Sequence, residues 1–107
     1  MTTNKQIAQT ILNQMGGMNR LKTMTGAKDF LILDNGVQFS FPKAIAGINR
    51  VTIRLTADDL YDIEFGSVRK SRVTHLPEYT KRDETTGVYA DRLKPIFERA
   101  TGLFLSI

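Results

Sequence analysis

The sequence predicts an α+β fold, a four-stranded antiparallel meander sheet with two N-terminal helices and one C-terminal helix packed on one face. Two observations favour this fold. Residues 28–69 hold four strand-like runs in two hairpins, and the flanking segments space their apolar residues as helices do. The chain of 107 residues is long enough for one core but not for two, so residues 1–107 are expected to form a single domain.

The first predicted helix begins near Lys5, where Thr2, Thr3 or Asn4 can serve as its N-terminal cap. The apolar residues of this helix form one stripe and are Ile7, Ile11, Leu12 and Met15. The glycine pair at 16–17 ends it.

A second, shorter helix follows the glycine pair. Met18, Leu21 and Met24 lie on one side of it, and this spacing is more typical of core packing than of a binding surface. Gly26 is its expected C-terminal cap, because glycine readily adopts the positive φ of that position.

The first hairpin gives the strongest local signal. Residues 29–33 and 37–41 are strand-like runs on either side of Asn35-Gly36, a pair that tolerates the positive φ angles of a type I′ turn. With these two residues as the loop, Ile32 lies opposite Phe39 on one face of the sheet. Pro42 ends the second strand, because it lacks the N–H that a strand ladder requires.

The second hairpin is predicted from the alternation of apolar and polar residues over 51–56 and 61–65. Residues 57–59 have turn composition, and a loop there places Arg54 opposite Asp62 on the solvent face. The helices should pack on the opposite face, which is built by Phe30, Ile32, Phe39, Phe41, Val51, Ile53, Leu55, Tyr61, Ile63 and Phe65.

Residues 66–87 show little regular pattern beyond a possible extension of the fourth strand over 68–73. We expect a long loop here, of a kind that is often functional or mobile. The last helix is predicted to begin at Thr85 or Thr86, and its apolar stripe consists of Tyr89, Leu93, Ile96, Phe97 and Ala100.

Pro95 lies inside this last helix and either bends it or begins a new first turn. Gly102 ends the helix. Residues 103–107 are mostly apolar, and we expect them to dock as an edge strand or against the sheet.

Composition excludes several kinds of site. The chain has no cysteine, which removes disulfides, thiolate catalysis and cysteine-based metal centres, and its one histidine cannot build a His-rich zinc site. The acidic residues Asp58, Asp59, Asp62 and Glu64 lack the spacing of a calcium loop. Without a catalytic or cofactor motif, we predict no enzyme activity, no catalytic residues, no metal and no cofactor.

Without a membrane span or signal-peptide pattern, we expect a cytoplasmic protein with no membrane partner.

Positive charge is concentrated in two places. Residues 1–28 carry Lys5, Arg20, Lys22 and Lys28 and no acid, whereas residues 29–68 carry six acids and three basic residues. The predicted loop over 69–82 is basic again, and such a charge distribution can steer an anionic partner. The candidate nucleic-acid-binding residues of this loop are Arg69, Lys70, Arg72, Tyr79, Lys81 and Arg82. A flexible, solvated loop explains the same residues, and the sequence alone favours that reading slightly.

Several stretches are similar to those of small uncharacterised proteins encoded by bacteriophages and integrated bacterial elements. The similar stretches are residues 26–30, 60–62 with Phe65, 89–91 and 97–107. This resemblance implies no activity and no functional residue. It implies only a context, a phage or mobile-element protein in the cytoplasm of a bacterial host.

Three functions follow as hypotheses. We expect first a small accessory protein without catalysis that binds a protein partner of unknown identity, through a sheet face that exposes Leu31 and Leu33. The alternative is a nucleic-acid-binding protein that uses the basic 69–82 loop and the basic N-terminal helices. The third, a small-molecule enzyme, would need a deep polar pocket around His75. The oligomeric state stays open, and an uncovered edge strand would favour a dimer.

Overall fold

The computed structural model describes residues 3–42 and 48–102. Within them the fold is α+β, as predicted, and its sheet is antiparallel with the strands in chain order, β1-β2-β3-β4-β5. The elements are α1 (Asn4–Gln14), α2 (Met18–Thr25), β1 (Lys28–Leu33), β2 (Gly36–Ser40), β3 (Arg50–Leu55), β4 (Tyr61–Lys70), β5 (Pro77–Val88), a 3₁₀ turn (Ala90–Arg92) and α3 (Leu93–Thr101).

The prediction of four strands is wrong, because the described residues form five. The segment expected to be a loop over 66–87 contains the end of β4 and most of β5, which pair from Tyr61 opposite Val88 to Lys70 opposite Pro77. Val88 is the one fully buried residue of β5. Hydrogen bonds to β4 rather than burial therefore hold β5 in place. Because its side chains are mostly exposed, its sequence lacks the alternation of apolar and polar residues by which a strand is predicted.

The last helix begins later than predicted. Thr85 and Thr86 lie in β5, and Tyr89, expected on the buried stripe, is 66% exposed ahead of the 3₁₀ turn. Because α3 begins at Leu93, Pro95 lies in its first turn, where the absent N–H would have had no helical partner. Of the two alternatives for Pro95, a bend within the helix or the first turn of a new one, the structure shows the second.

The loop of the first hairpin is Asp34-Asn35, not Asn35-Gly36. Leu33 pairs with Gly36, and Asn35 has a φ of 57°. A Cβ atom at Gly36 would lie 2.3 Å from the carbonyl oxygen of Ile53, so this glycine serves the close approach of β3 rather than a type I′ turn. Over residues 31–33 the pairing is shifted by two residues from the predicted register, so these three side chains keep their predicted faces. The pairing is irregular between Lys28 and Leu31.

The core lies between the helices and the face of the sheet that the sequence predicts. Phe97 of α3 contacts the rings of Phe39, Phe41 and Phe65, with ring centroids 5.5 to 6.3 Å apart. Ile32, expected in this core, is 50% exposed because β1 is an edge strand. The helices contribute Ile7, Ala8, Ile11, Leu12, Leu21, Leu93 and Phe97.

The predicted caps are confirmed. The Thr3 hydroxyl accepts a hydrogen bond from the Gln6 N–H while the Gln6 side chain accepts one from the Thr3 N–H, a capping box. Gly26 and Gly102 end α2 and α3 with φ angles of 73° and 72°.

The second hairpin also agrees with its prediction, because Arg54 lies opposite Asp62. Two other expectations, on the side chains of Met18 and Met24 and on the docking of 103–107, lie outside the described residues.

Candidate nucleic-acid interface

The β4–β5 hairpin extends beyond the neighbouring strand. The pairing of β3 with β4 ends at Arg50 opposite Gly66, whereas β4 continues to Lys70. Beyond Gly66, β4 pairs only with β5 among the described strands. We call residues 66–82 the distal hairpin; it contains all the candidate residues of the predicted 69–82 loop.

Asn49 anchors the base of the distal hairpin. Its side-chain oxygen accepts a hydrogen bond of 2.8 Å from the Val68 N–H, and its side-chain nitrogen donates one of 3.0 Å to the Val68 carbonyl. The Asn49 backbone N–H donates to the carbonyl oxygen of Gly66 at 2.9 Å. Asn49 directly precedes β3. Its side-chain amide thus makes the two hydrogen bonds to β4 that the backbone of a further β3 residue would make.

The tip of the hairpin is an ordered turn. The Ser71 N–H donates to the Leu76 carbonyl at 2.9 Å, and the His75 N–H donates to the Ser71 carbonyl at 3.0 Å. The Ser71 hydroxyl accepts from the N–H groups of Val73 and Thr74 at 3.2 and 3.3 Å. Val73 and Leu76 are 88% and 63% exposed. The prediction of an irregular loop over 69–82 is therefore wrong.

The structure distributes the candidate residues over two faces and the tip. Because strand side chains alternate, Lys70, Tyr79 and Lys81 lie on the face opposite the helices, which we call the outer face. Arg69 lies on the helix side, and the Arg82 Nε–H donates to the buried Ser67 hydroxyl at 2.8 Å. The sixth candidate, Arg72, lies at the tip.

The distal hairpin keeps a positive balance. Between residues 69 and 82, five basic residues accompany one acid, Glu78, which lies opposite Arg69. Lys81 forms an exposed ion pair of 3.5 Å with Glu84, and such pairs contribute little to stability. In the part of the chain that the structure describes, no carboxylate lies within 4.0 Å of the charged groups of Arg69, Lys70 or Arg72.

Tyr79 is fixed by two contacts on the outer face. Its hydroxyl donates a hydrogen bond of 2.5 Å to Glu64 Oε2, and its ring lies across Gly66, where an added Cβ atom would be 2.3 Å from the ring. Burial, then the hydrogen bond to Glu64 and the charge of that carboxylate, raises the pKa of Tyr79, while the nearby Arg50 acts in the opposite direction. The phenol is therefore neutral at physiological pH.

Sequence reasoning missed the residues that surround these candidates. Asn49, Glu64 and Ser67 hold Val68, Tyr79 and Arg82 through contacts that depend on the strand register. Gly66 gave a usable signal, because a glycine at the end of an alternating run indicates a bulge or the close approach of another group.

The N-terminal basic residues lie elsewhere. Lys5 and Lys22 are exposed on α1 and α2, and the Lys22 ammonium lies 5.8 Å from the centre of the Phe30 ring. Lys28 belongs to β1, at the edge of the sheet opposite β5. The side chain of Arg20 lies outside the described residues.

The remaining candidate residues are His75 and the acidic residues near the second hairpin. His75 is exposed at the tip, with a φ of 61°, so no deep cavity encloses it. A cavity of about 220 Å³ lies beside α3, lined by Arg92, Pro95, Ile96 and Arg99. Asp58 and Asp59 form the turn after β3, and the described residues contain no group of three or more acids or histidines arranged for a metal ion.

None of the helices in residues 3–42 and 48–102 combines the length and the apolar character needed to cross a membrane. Comparison of the chain with protein-family models, with curated proteins and with solved structures found no match. The resemblance to phage and mobile-element proteins therefore stays a prediction.

Proposed function

We propose that this protein binds nucleic acid through the distal hairpin. The observation that carries the proposal is the concentration of positive charge on a narrow two-stranded extension of the sheet, in which Arg69, Lys70 and Arg72 are exposed and lack carboxylate partners among the described residues. A phosphate backbone supplies the complementary charge, and each phosphate neutralised by lysine or arginine releases bound counterions.

The shape of the hairpin suits this partner. A ribbon of two antiparallel strands is narrow enough to enter a major groove or to lie along a single strand. Because Arg69 and Lys70 point to opposite faces, the ribbon can contact phosphates on two sides at once. The hydrogen-bonded turn at Ser71 limits the freedom of the tip, so little conformational entropy is lost on binding.

The test compares two variants of equal net charge. One carries Arg69→Gln, Lys70→Gln and Arg72→Gln on the hairpin, and the other carries Arg92→Gln, Lys94→Gln and Arg99→Gln around α3. Fluorescence anisotropy with single- and double-stranded oligonucleotides gives the affinity at several salt concentrations. Affinity decreases as the salt concentration rises, and a plot of log affinity against log salt concentration has a negative slope. We expect the magnitude of this slope to decrease by about 2 to 3 in the hairpin variant only.

Two outcomes would count against the proposal. Absence of binding by the unmodified protein at low salt would make the hairpin a solvated surface. An equal loss of affinity in both variants would show that net charge, rather than the hairpin, attracts the nucleic acid.

A second candidate, binding of a protein partner, is favoured by β1. This strand is an edge of the sheet, and Leu31 and Ile32, which point to opposite faces, are 52% and 50% exposed. An edge strand with exposed aliphatic side chains can accept a further strand from another protein. We expect Leu31→Lys to abolish co-purification of a stoichiometric partner from a bacterial lysate while Val73→Lys retains it. Equal recovery with both variants would contradict this candidate.

A further inference from the structure

The ring of Tyr79 is an exposed aromatic surface in the middle of a charged face. The contact with Gly66 covers one side of the ring, and 42% of the residue stays accessible to solvent. The bond from its hydroxyl to Glu64 fixes the orientation of the ring. A ring held in this way loses little freedom when a planar ligand stacks on it.

Cationic side chains flank this ring on the outer face. Gly66, over which the ring lies, is paired with Arg50 of β3 on one side and with Lys81 of β5 on the other. Lys70 lies on the same face farther along β4, beyond Val68, the residue opposite Tyr79. The same face also carries Glu64, which binds the Tyr79 hydroxyl, and Glu84, which pairs with Lys81 at 3.5 Å. Cations therefore lie on both sides of the ring and toward the hairpin tip, and Arg50 and Lys70 are the two without a carboxylate within 4.0 Å among the described residues.

We propose that the solvent-facing side of Tyr79 stacks a base of a single-stranded nucleic acid, whose phosphates lie near Arg50, Lys70 and Lys81. This inference rests on the proposed function and narrows it to single strands. An unpaired base can place its π-face on an aromatic ring whatever its identity, whereas the bases of a duplex are already stacked on one another. The combination of a fixed ring and flanking cations fits this ligand better than a duplex.

The experiment uses an oligothymidylate of about 12 nucleotides that carries one 2-aminopurine, whose fluorescence is quenched by stacking. The unmodified protein is compared with Tyr79→Phe, which keeps the ring, and with Tyr79→Leu, which removes it. Tyr89→Leu is the matched control, because Tyr89 is also exposed but lies outside the hairpin.

We expect Tyr79→Leu to lose roughly 5- to 150-fold in affinity for the oligonucleotide, the range that corresponds to one stacked base. The quenching of 2-aminopurine should disappear with it. Tyr79→Phe should stay within about threefold of the unmodified protein, because stacking requires the ring and not the hydroxyl. Tyr89→Leu should bind as the unmodified protein does.

Loss of the ring could also disturb the strand, so a second variant gives an independent readout. Tyr79→Trp introduces a tryptophan into a chain that has none. Its fluorescence should be quenched on saturation with unlabelled oligothymidylate. Unchanged tryptophan fluorescence at saturation would overturn the inference even if Tyr79→Leu failed to fold.

The two proposals fail in different ways. Suppose that Tyr79→Leu binds single strands as tightly as the unmodified protein, while replacement of Arg69, Lys70 and Arg72 still weakens the salt dependence as expected. The stacking site is then wrong and the proposed function stands. Tighter binding of duplex than of single strands, without quenching, leads to the same conclusion. If the unmodified protein binds neither, both proposals are wrong.

Discussion

Gly66 and Tyr79 depend on each other. A glycine within a strand leaves its backbone without a covering side chain and weakens the strand, and an aromatic ring from the neighbouring strand can cover it. Here the Tyr79 ring occupies the space that a Cβ atom at position 66 would need. The tyrosine therefore has a structural role besides the binding role that we propose.

The raised pKa of Tyr79 makes its contribution to stability dependent on pH. The folded state holds the phenolic proton more firmly than the unfolded state, whose pKa is about 10. The contribution is therefore complete below pH 10 and falls as the pH rises toward the folded-state pKa. We expect the difference in unfolding free energy between the unmodified protein and Tyr79→Phe to decrease from pH 8 to pH 11 in urea titrations.

Tyr89→Phe serves as the control for this measurement, because the Tyr89 ring is mostly exposed. If both substitutions show the same pH dependence, the contact between Tyr79 and Glu64 does not stabilise the protonated phenol.

At the scale of the elements, a strand can be predicted when one of its faces is buried, because burial makes apolar and polar residues alternate. A strand held by backbone hydrogen bonds alone has no such alternation. Strands β3 and β4 alternate buried and less buried residues over 51–53 and 61–65, so their hairpin and the pairing of Arg54 with Asp62 were predictable. Strand β5 is exposed along most of its length, and its residues show no such pattern. Its position depends on hydrogen bonds to β4, which no local sequence signal reports.

The residues of the candidate site could be predicted from the sequence, but their arrangement could not. Charge identified the basic residues of 69–82 without knowledge of the element that carries them. The distribution of Arg69 and Lys70 on opposite faces, and the contact of Tyr79 with Gly66, follow from a register that the sequence does not reveal.

Asn49 is the residue on which support of the distal hairpin can be tested. Asn49→Ala leaves the partly buried N–H and carbonyl of Val68 without their partners, so we expect a loss of about 1–3 kcal/mol in unfolding free energy. Amide hydrogen exchange at Val68 should become faster. Urea denaturation and exchange measured by NMR check both effects.

Asn13→Ala is the matched control, because the Asn13 side chain makes an exposed hydrogen bond with Gln9 on α1. We expect its effect to stay within about 0.5 kcal/mol. Similar losses in the two variants would show that the bonds between Asn49 and Val68 add nothing specific.

At the scale of the whole molecule, the two faces of the sheet differ: the face toward the helices forms the hydrophobic core, and the outer face carries a polar surface. The helices bury the apolar face of the sheet in a core that includes Ile11, Phe39 and Phe97. The outer face carries a polar surface on which Gln38 donates a hydrogen bond of 3.0 Å to Thr52. Because the hydrophobic core of the described residues contains no residue of the distal hairpin, the charges of Arg69, Lys70 and Arg72 can change with little effect on core packing.

The agreement between strand order and chain order has a consequence for the way the protein reaches this structure. Among the described strands, each pairs only with its neighbours along the chain, so each step in building this sheet joins two segments that are close in sequence. Contacts between residues close in sequence favour rapid folding. The β4–β5 turn, held by Ser71, can form before the rest of the sheet is complete, and the chain can then add strands by successive local zippering rather than by a search for distant partners.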